Sequence, residues 1–486
     1  MSSSYTITVE GGVSTIDGAI TRPILDAITE VTSYFKQGYQ FSNRFRSGVW
    51  DGRIRLFSRY RRSFPTGLLN DVVGALKDEG VRVQIDDKRH MPSIPPVPPP
   101  EECGLVGISF DYPYDYQPEV MEKAILAKRG ILHIATNGGK TEIACLIAQC
   151  LRLPTLFLVP GKDLLHQTAD RFMHRLGLDN REVGVIGDGR WQVGDWITIA
   201  TVASLHANLK KQKCQDLLDQ TQLLFADECH QVGADTWFQV MQNCNAYFRF
   251  GMSGTPLNRT DGADLRLVAV TGPVITQIRN KFLIERGISC EVEVWMLPVR
   301  KPLGIDPKTP YNDAYDMGIV ENLWRNRAIA LLNSYFAKQG LQSIVLIRKI
   351  DHGKELDKRL WTVPGRDFVP HQFICGKEPT TVRQQALKDF KRGDLQSVIS
   401  TKILNQGIDV PCIDVLFMGG GGESSIETLQ KVGRGIRTGG NTNRLIVVDF
   451  ADFTNRHLLK HSLQRLKDYK NEDCFTIKQI DLKDYC

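Results

Sequence analysis

The stretch Ile131-Leu132-His133-Ile134-Ala135-Thr136-Asn137-Gly138-Gly139-Lys140-Thr141 decides how the rest of this chain is read. Its opening apolar run predicts a buried strand over Ile131–Ala135, and the pattern of Thr141–Leu151 predicts a helix. A glycine-rich turn between a buried strand and a helix N-terminus is a preformed anion site. Successive backbone N–H groups converge there, and the helix dipole favours negative charge. In such a turn Lys140 reaches the β- and γ-phosphates of a nucleotide and the Thr141 hydroxyl ligates Mg²⁺, with Thr136, Asn137, Gly138 and Gly139 forming the cradle. The GxxxxGK[ST] pattern is incomplete, because Ile134 stands where its first glycine would be. Asn137 is compatible with the turn, since asparagine visits left-handed conformations readily.

Further along, Leu223-Leu224-Phe225-Ala226 runs into Asp227-Glu228-Cys229-His230. Two carboxylates at the carboxyl end of a buried strand stand where open α/β sheets bind ligands. There Asp227 holds the metal, and Glu228 orients and deprotonates an attacking water. A helix N-cap is the plainer use of such a pair, and the phosphate loop upstream favours nucleotide hydrolysis over it.

Around these two motifs short apolar runs alternate with amphipathic segments. Ile131–Ala135, Thr155–Val159, Ile197–Ala200 and Leu223–Ala226 predict strands, with Lys162–Leu176 among the helices. A second series has Ser343–Ile347, Val398–Ser400, Val415–Met418 and Leu445–Asp449 as strands, with Asn322–Lys338 and Thr381–Lys391 as helices. Two successive parallel-sheet α/β units follow. The tail after Phe453 predicts one basic amphipathic helix. It packs Leu459, Leu463 and Leu466 inward and offers Arg456, Lys460, Arg465 and Lys467 to solvent or DNA.

Residues 92–100, PSIPPVPPP, hold six prolines and predict a semi-rigid extended linker. Ahead of it lies a small α+β module, with a strand around Tyr5, Ile7 and Val9, a helix over Ile20–Phe35 and a strand over Arg53–Phe57. The expected division is 1–90 for this module, 91–100 for the linker, 101–275 for the first α/β unit and 276–486 for the second. The whole chain has 486 residues and a net charge of +6, from 61 Lys and Arg against 55 Asp and Glu. Between Val31 and Asn70 eight cations face the single acid Asp51, so this segment alone exceeds the net charge of the chain. Phosphate backbones are the usual partners of such a concentration. Arg44, Arg46, Arg53 and Arg55 are the candidate phosphate contacts. Phe45 and Trp50 read either as stacking groups or as core residues.

Composition excludes a disordered or fibrous chain. No window is apolar for long enough to span a bilayer, and Met1–Glu10 lacks the basic-then-apolar pattern of a signal peptide. A cytoplasmic protein without a membrane partner is expected. The 11 cysteines contain no CxxC pair, which argues for reduced thiols. His457 and His461 lie one helical turn apart, but Leu458 replaces the glutamate of HExxH, so no zinc is expected.

The motifs together resemble those of the superfamily 2 helicases. Asp227-Glu228-Cys229-His230 and Ser253-Gly254-Thr255-Pro256 are similar to motifs II and III, the latter with glycine in place of the usual alanine. Tyr116-Gln117 resembles the adenine-reading glutamine motif. Val159-Pro160-Gly161-Lys162-Asp163-Leu164-Leu165-His166-Gln167 resembles motif Ia, and Ala200-Thr201-Val202-Ala203-Ser204-Leu205 resembles motif Ib. Thr401 through Gly407-Ile408-Asp409-Val410-Pro411 resembles motif V, and Gln430-Lys431-Val432-Gly433-Arg434-Gly435-Ile436-Arg437 resembles motif VI. All stand in the family's order.

The run Phe41–Leu56 and the segment Asn322-Leu323-Trp324-Arg325-Asn326-Arg327 further resemble UvsW-type bacteriophage DNA helicases, and this likeness spans nearly the whole chain. It implies two tandem RecA-like parallel-sheet lobes preceded by a small α+β N-terminal domain, with ATP and Mg²⁺ as cofactors. It also implies that Arg434 and Arg437 act as arginine fingers beside Gln430, and that Gly407 and Asp409 belong to the nucleotide site. Thr201 and Thr401 would hold DNA phosphates, while Ser253 and Thr255 couple hydrolysis to movement. The implied activity is unwinding or remodelling of branched, forked or single-stranded DNA in recombination, repair and replication, such as Holliday-junction branch migration and fork regression. The implied setting is a monomer in the host cytoplasm, with phage recombination or single-strand-binding proteins as further partners. An RNA-remodelling helicase and an annealing protein with a weak ATPase are the alternatives. The run Gly419–Gly422 before motif VI reads as a flexible loop or plain connector.

Overall fold

The computed structural model describes residues 4–18, 20–257, 262–302, 304–361, 369–401, 413–422 and 443–485. The chain forms two compact units, one of Met1–Ile134 with Gly139–Ile278 and one of Ala135–Gly138 with Arg279–Cys486.

The first unit is built on an eight-stranded sheet. Its spatial order is Arg190–Trp191, Val183–Gly187, Ile197–Thr201, Thr155–Val159, Leu223–Asp227, Phe248–Ser253, Arg129–Ile134 and Val274–Ile278. Every pairing is parallel except the short antiparallel edge pair of Arg190–Trp191 with Val183–Gly187. Thr155–Val159, Ile197–Thr201 and Phe248–Ser253 are buried at every position, as strands covered on both faces must be. Phe225 pairs with Phe157 on one side and Phe250 on the other. Their ring centroids lie 5.7 and 5.8 Å apart, a ladder that fixes the register of the three central strands.

The strand Phe248–Ser253 has no counterpart among the expected strands, because Arg249 and Gly251 break its apolar run. Arg249 is fully buried and satisfied by carbonyls: Nε donates to Ala246 O at 3.0 Å, and Nη1 donates to Met241 O at 3.0 Å and Val270 O at 3.1 Å. Nη2 donates to Cys244 O. At Gly251 a Cβ would come within 3.2 Å of the Cys229 and Thr271 side chains, so the strand runs in close contact with both.

The N-terminal module has a sheet ordered Ser63–Pro65, Val13–Asp17, Ser4–Glu10 and Arg82–Asp87, with helices Arg22–Val31 and Leu69–Asp78 packed on it. The helix expected over Ile20–Phe35 is shorter. It stops at Thr32, whose hydroxyl bonds Ile28 O at 2.7 Å, and Ser33–Phe35 turns into a strand that pairs with Arg53–Arg55. Residues 88–99 carry no regular element. The module is not separate from the sheet that follows, because its core continues into Phe238, Leu265, Val268 and Ala269. The turn Thr66–Leu68 lies so close to the helix Asp264–Thr271 that a Cβ on Gly67 would meet Val268 O at 2.0 Å.

The second unit holds a seven-stranded, wholly parallel sheet ordered His371–Ile374, Ser397–Ser400, Ser343–Leu346, Val415–Phe417, Arg444–Ala451, Glu291–Pro298 and Phe475–Gln479. The helix Leu323–Lys338 begins at Asn322, whose side chain caps the Arg325 N–H at 3.1 Å. The architecture is thus two tandem RecA-like parallel-sheet lobes preceded by a small α+β region. Among the described residues no helix is long and apolar enough to cross a membrane.

Two expectations for this unit are overturned. The tail is not a single helix: Arg456–Lys470 is followed by the edge strand Phe475–Gln479, which pairs with Glu291–Pro298. The helix turns Leu458, Ser462, Arg465 and Tyr469 inward and leaves Leu463 53% exposed. Arg465 is therefore no DNA contact; it pairs with Asp449 at 2.8 Å in the interior. Nor is Gly419–Gly422 a flexible loop. It is buried, and its carbonyls accept bonds from Arg325 Nε, Tyr315 Oη and Arg465 Nη1 at 3.1, 2.8 and 2.8 Å. Arg325 is in turn paired with Asp452 at 2.7 Å.

Candidate functional site

The phosphate-loop strand Arg129–Ile134 leads into a turn closed by the Gly138 N–H on Ala135 O at 3.1 Å. Asn137 and Gly139 both adopt positive φ, 71° and 74°, and Gly139 caps the helix Lys140–Leu151. This alternation turns backbone N–H groups toward one point above the helix axis. Lys140 and Thr141 stand at the first and second helical positions, half-buried, with Thr136 half-buried in the turn. Gln117 is buried in the first turn of the helix Tyr116–Ala127 and packs against the loop, since a Cβ on Gly139 would lie 2.1 Å from its Nε2. Tyr116 is buried beside it. The glutamine and loop motifs, separated in sequence, meet at this glycine.

The sheet brings the next motifs to the same edge. Ser253 is the register partner of His133, and Asp227 that of Met252, so three adjacent strands end together with the phosphate loop, Asp227-Glu228 and Ser253 at their carboxyl ends. Glu228 is held at φ 49°, a left-handed conformation that costs a non-glycine residue roughly 1–2 kcal/mol. The Asp227 carboxylate accepts the Glu228 N–H at 2.9 Å and helps hold it there. From Glu228 a polar chain runs to motif III. His230 Nδ1 lies 3.4 Å from Glu228 Oε2 and 3.1 Å from Ser253 Oγ, and Ser253 Oγ accepts the Thr255 N–H at 3.1 Å. His133 Nε2 bonds Gly254 O at 2.9 Å, tying motif III to the phosphate-loop strand. The roles of His133 and His230 were not legible in the sequence. His230 stood in a quoted motif without a task, and His133 looked like one more residue of an apolar run.

Cys229, between the carboxylate pair and His230, is passive. Burial pushes its thiol well above the usual range, the Glu228 and Asp227 charges add to that, and the Lys140 ammonium only partly opposes them.

The donor set fits Mg²⁺ with a nucleotide. Among the described residues no group of three or more His, Cys, Asp or Glu could cage a metal. One hydroxyl, Thr141, and one carboxylate, Asp227, are what a magnesium ion needs when phosphates and water fill the remaining positions. The cradle at Gly139 has no room for a side chain on its Gln117 flank.

The candidate DNA contacts divide. Arg44 and Arg46 are exposed. Arg53 is engaged with Glu30 at 2.6 Å and Ser33 Oγ at 3.1 Å, and its guanidinium lies 4.6 Å from the Phe35 ring centroid. Arg55 forks onto Asp51 and holds that carboxyl below its usual range. Phe45 packs edge-on against Tyr39 at 4.8 Å, and Trp50 donates its indole N–H to Arg53 O at 2.9 Å. Thr201 is buried, and its hydroxyl caps the helix Val202–Asn208 and donates to Ser204 Oγ at 2.8 Å. Thr401 follows the carboxyl end of Ser397–Ser400 and is half-buried. Gly407, Asp409, Gln430, Arg434 and Arg437 lie outside the described residues.

Three family models match the chain: DNA helicase UvsW, N-terminal, over residues 16–86; type III restriction enzyme, res subunit, over 112–258; and helicase conserved C-terminal domain over 327–439. The ATP-dependent DNA helicase uvsW of Enterobacteria phage T4 is 24% identical over 93% of this chain and 94% of its own length. The DNA 3'-5' translocase XPB2 of Sulfurisphaera tokodaii is 21% identical over 66% of this chain and 78% of its own. Among solved structures, the ATP-dependent type ISP restriction-modification enzyme LlaBIII bound to DNA superposes with a TM-score of 0.58 at 15% identity. That match covers 75% of this chain and 31% of the other, and it speaks to the fold. With an N-terminal UvsW module, a restriction-helicase lobe and a helicase C-terminal lobe in that order, the chain is a superfamily 2 helicase resembling the UvsW type.

Proposed function

We propose that this helicase is an ATP-hydrolysing DNA motor that remodels forked and branched DNA, acting as a monomer in the cytoplasm of a host cell and alongside recombination or single-strand-binding proteins. The observation that carries the reading is the register of three neighbouring strands, which ends the phosphate loop, the Asp227-Glu228 pair and Ser253 at one edge. Bound ATP with Mg²⁺ supplies the γ-phosphoryl group and a cation that spreads its developing charge. Tyr116 and Gln117 read the adenine, and Thr136 through Gly139 receive the phosphates on backbone N–H groups. Lys140 neutralises the β- and γ-oxygens, while Thr141 and Asp227 are the protein ligands to magnesium. Glu228, set in its left-handed position, orients the attacking water and takes its proton.

By their resemblance to motifs V and VI, Arg434 and Arg437, with Gln430, Gly407 and Asp409, would act on the same nucleotide. His230 and Ser253 pass a change at Glu228 to Thr255 through the polar chain described above, which is a physical basis for coupling. Exposed Arg44 and Arg46, with Thr401, are the proposed phosphate contacts. Arg53 and Arg55 would join them only by exchanging their present carboxylates for phosphate, as Thr201 would its cap. The low sum of acids around the N-terminal arginines supports a nucleic-acid partner.

The test is steady-state ATP hydrolysis by wild type and Glu228→Gln without nucleic acid and with single-stranded DNA, a fork, a four-way junction or RNA. Fork or junction should stimulate wild type at least tenfold. Glu228→Gln should lose about 10²–10⁴-fold, the usual worth of a general base, while still binding nucleotide. Stimulation by RNA alone would move the assignment to an RNA helicase.

A further inference from the structure

Residues 58–63 of the N-terminal module form a stiff hairpin. Ser58 and Ser63 exchange both backbone hydrogen bonds, 2.8 and 3.2 Å, leaving Arg59-Tyr60-Arg61-Arg62 as its loop. Ser58 Oγ accepts the Arg61 N–H at 3.3 Å, and Arg62 is held in the left-handed region at φ 49°. Its carbonyl accepts the Ile16 N–H at 2.9 Å, and its Nη1 donates to Gly18 O at 3.2 Å. Phe57 and Phe64, on either side of the loop, are buried in the module's core. The base is therefore anchored on both strands. At that tip Tyr60 is 95% exposed, more than any other large apolar side chain among those described. Arg59 and Arg61 flank it, exposed and in no ion pair among the described residues, and the loop contains no acid.

We propose that this hairpin is a strand-separating pin: Tyr60 stacks on the last base pair where a DNA duplex opens, and Arg59 and Arg61 hold the phosphates of the diverging strands. An aromatic ring between unpaired guanidinium groups matches the alternation of base face and phosphate in an opened strand. The anchored backbone suits stacking, because the loop has less backbone freedom to lose on binding. Phe45 and Trp50, the aromatics singled out from the sequence, are committed to Tyr39 and to Arg53 O. Tyr60 has the free ring. The proposal rests on the helicase reading for its setting, since a pin works only where a motor drives DNA against it.

The experiment places 2-aminopurine at the junction base pair of a forked DNA. It follows fluorescence on binding of the full-length protein without nucleotide, then unwinding with ATP and Mg²⁺. Wild type and Tyr60→Phe should perturb the probe equally. Tyr60→Ala should lose the perturbation and unwind the fork about tenfold more slowly, the scale of one lost base stack. Arg59→Ala/Arg61→Ala should weaken fork affinity with a reduced salt slope. Because Tyr60 is exposed, unchanged thermal unfolding checks that each variant is folded. A wild-type probe response in Tyr60→Ala overturns the pin whatever the motor does. A Tyr60-dependent response in a wild type that never unwinds supports the pin's contact and overturns the helicase reading instead.

Discussion

At the scale of the residue, Gly139 illustrates how chemistry at this site depends on what is missing. Its φ of 74° strains any side chain, and a Cβ there would strike Gln117 Nε2. Gly139→Ala should therefore displace both the loop and the glutamine, weakening binding of a fluorescent ATP analogue more than tenfold in equilibrium titration. The unfolding midpoint should fall far less than for a core truncation. Glu228 stores strain of the opposite kind, since its left-handed backbone is imposed on a residue that gains nothing from it. The glycine-rich turn and carboxylate pair were legible because each is a short contiguous pattern. His133 and Thr201 were not: their tasks lie in a bond to Gly254 O and in a helix cap.

At the scale of the element, most strands and helices fell where apolar runs and amphipathic periods put them, and Lys162–Leu176 has the expected bounds. Several strands were not anticipated, Val183–Gly187 and the buried Glu291–Pro298 among them. Two show why: Phe248–Ser253 hides a buried arginine, and Phe475–Gln479 is a mostly exposed edge strand without an apolar run. Both are strands because of what lies beside them. The helix Val202–Asn208 is short enough for its cap to matter. Thr201→Ala should cost about 1 kcal/mol in urea denaturation, with Thr201→Ser restoring most of it. A loss of DNA affinity in Thr201→Ala beyond that of Thr201→Ser would favour the phosphate-contact role as well.

At the scale of the whole molecule, each unit carries its own buried polar network. In the second, Arg325 and Arg465 pair with Asp452 and Asp449 beneath the buried Gly419–Gly422 run. His352 stands near this network, bonded through Nε2 to Asn326 Oδ1 at 2.9 Å. Burial, and then the Arg325 charge, lowers its pKa to about 3 from the ordinary 6.5. The folded protein keeps this imidazole neutral where the unfolded chain protonates it, so its contribution is fully present above pH 6.5 and is lost as pH falls toward 3. Across that window the folding equilibrium of the second unit should weaken by up to tenfold per pH unit from this group. Denaturation at pH 7 and pH 5 should show a smaller pH loss in His352→Gln than in wild type. Equal losses would mean that the imidazole is not held neutral.

The sequence by itself determined the alternation of strands and helices, the order of the motifs and the chemistry each can perform, because these depend on neighbours within a turn or a strand. Only the tertiary structure decided which strand ends adjoin, and hence that Ser253 stands beside His133 and Gln117 against Gly139. It also decided which charges are buried or paired across the fold, Arg53, Arg249 and Arg465 among them. Burial and pairing are set by groups far away in the chain, and no local pattern contains them. The same reason leaves Tyr60 as the exposed ring: its flanking phenylalanines found a core, and the hairpin they anchor carries it outward.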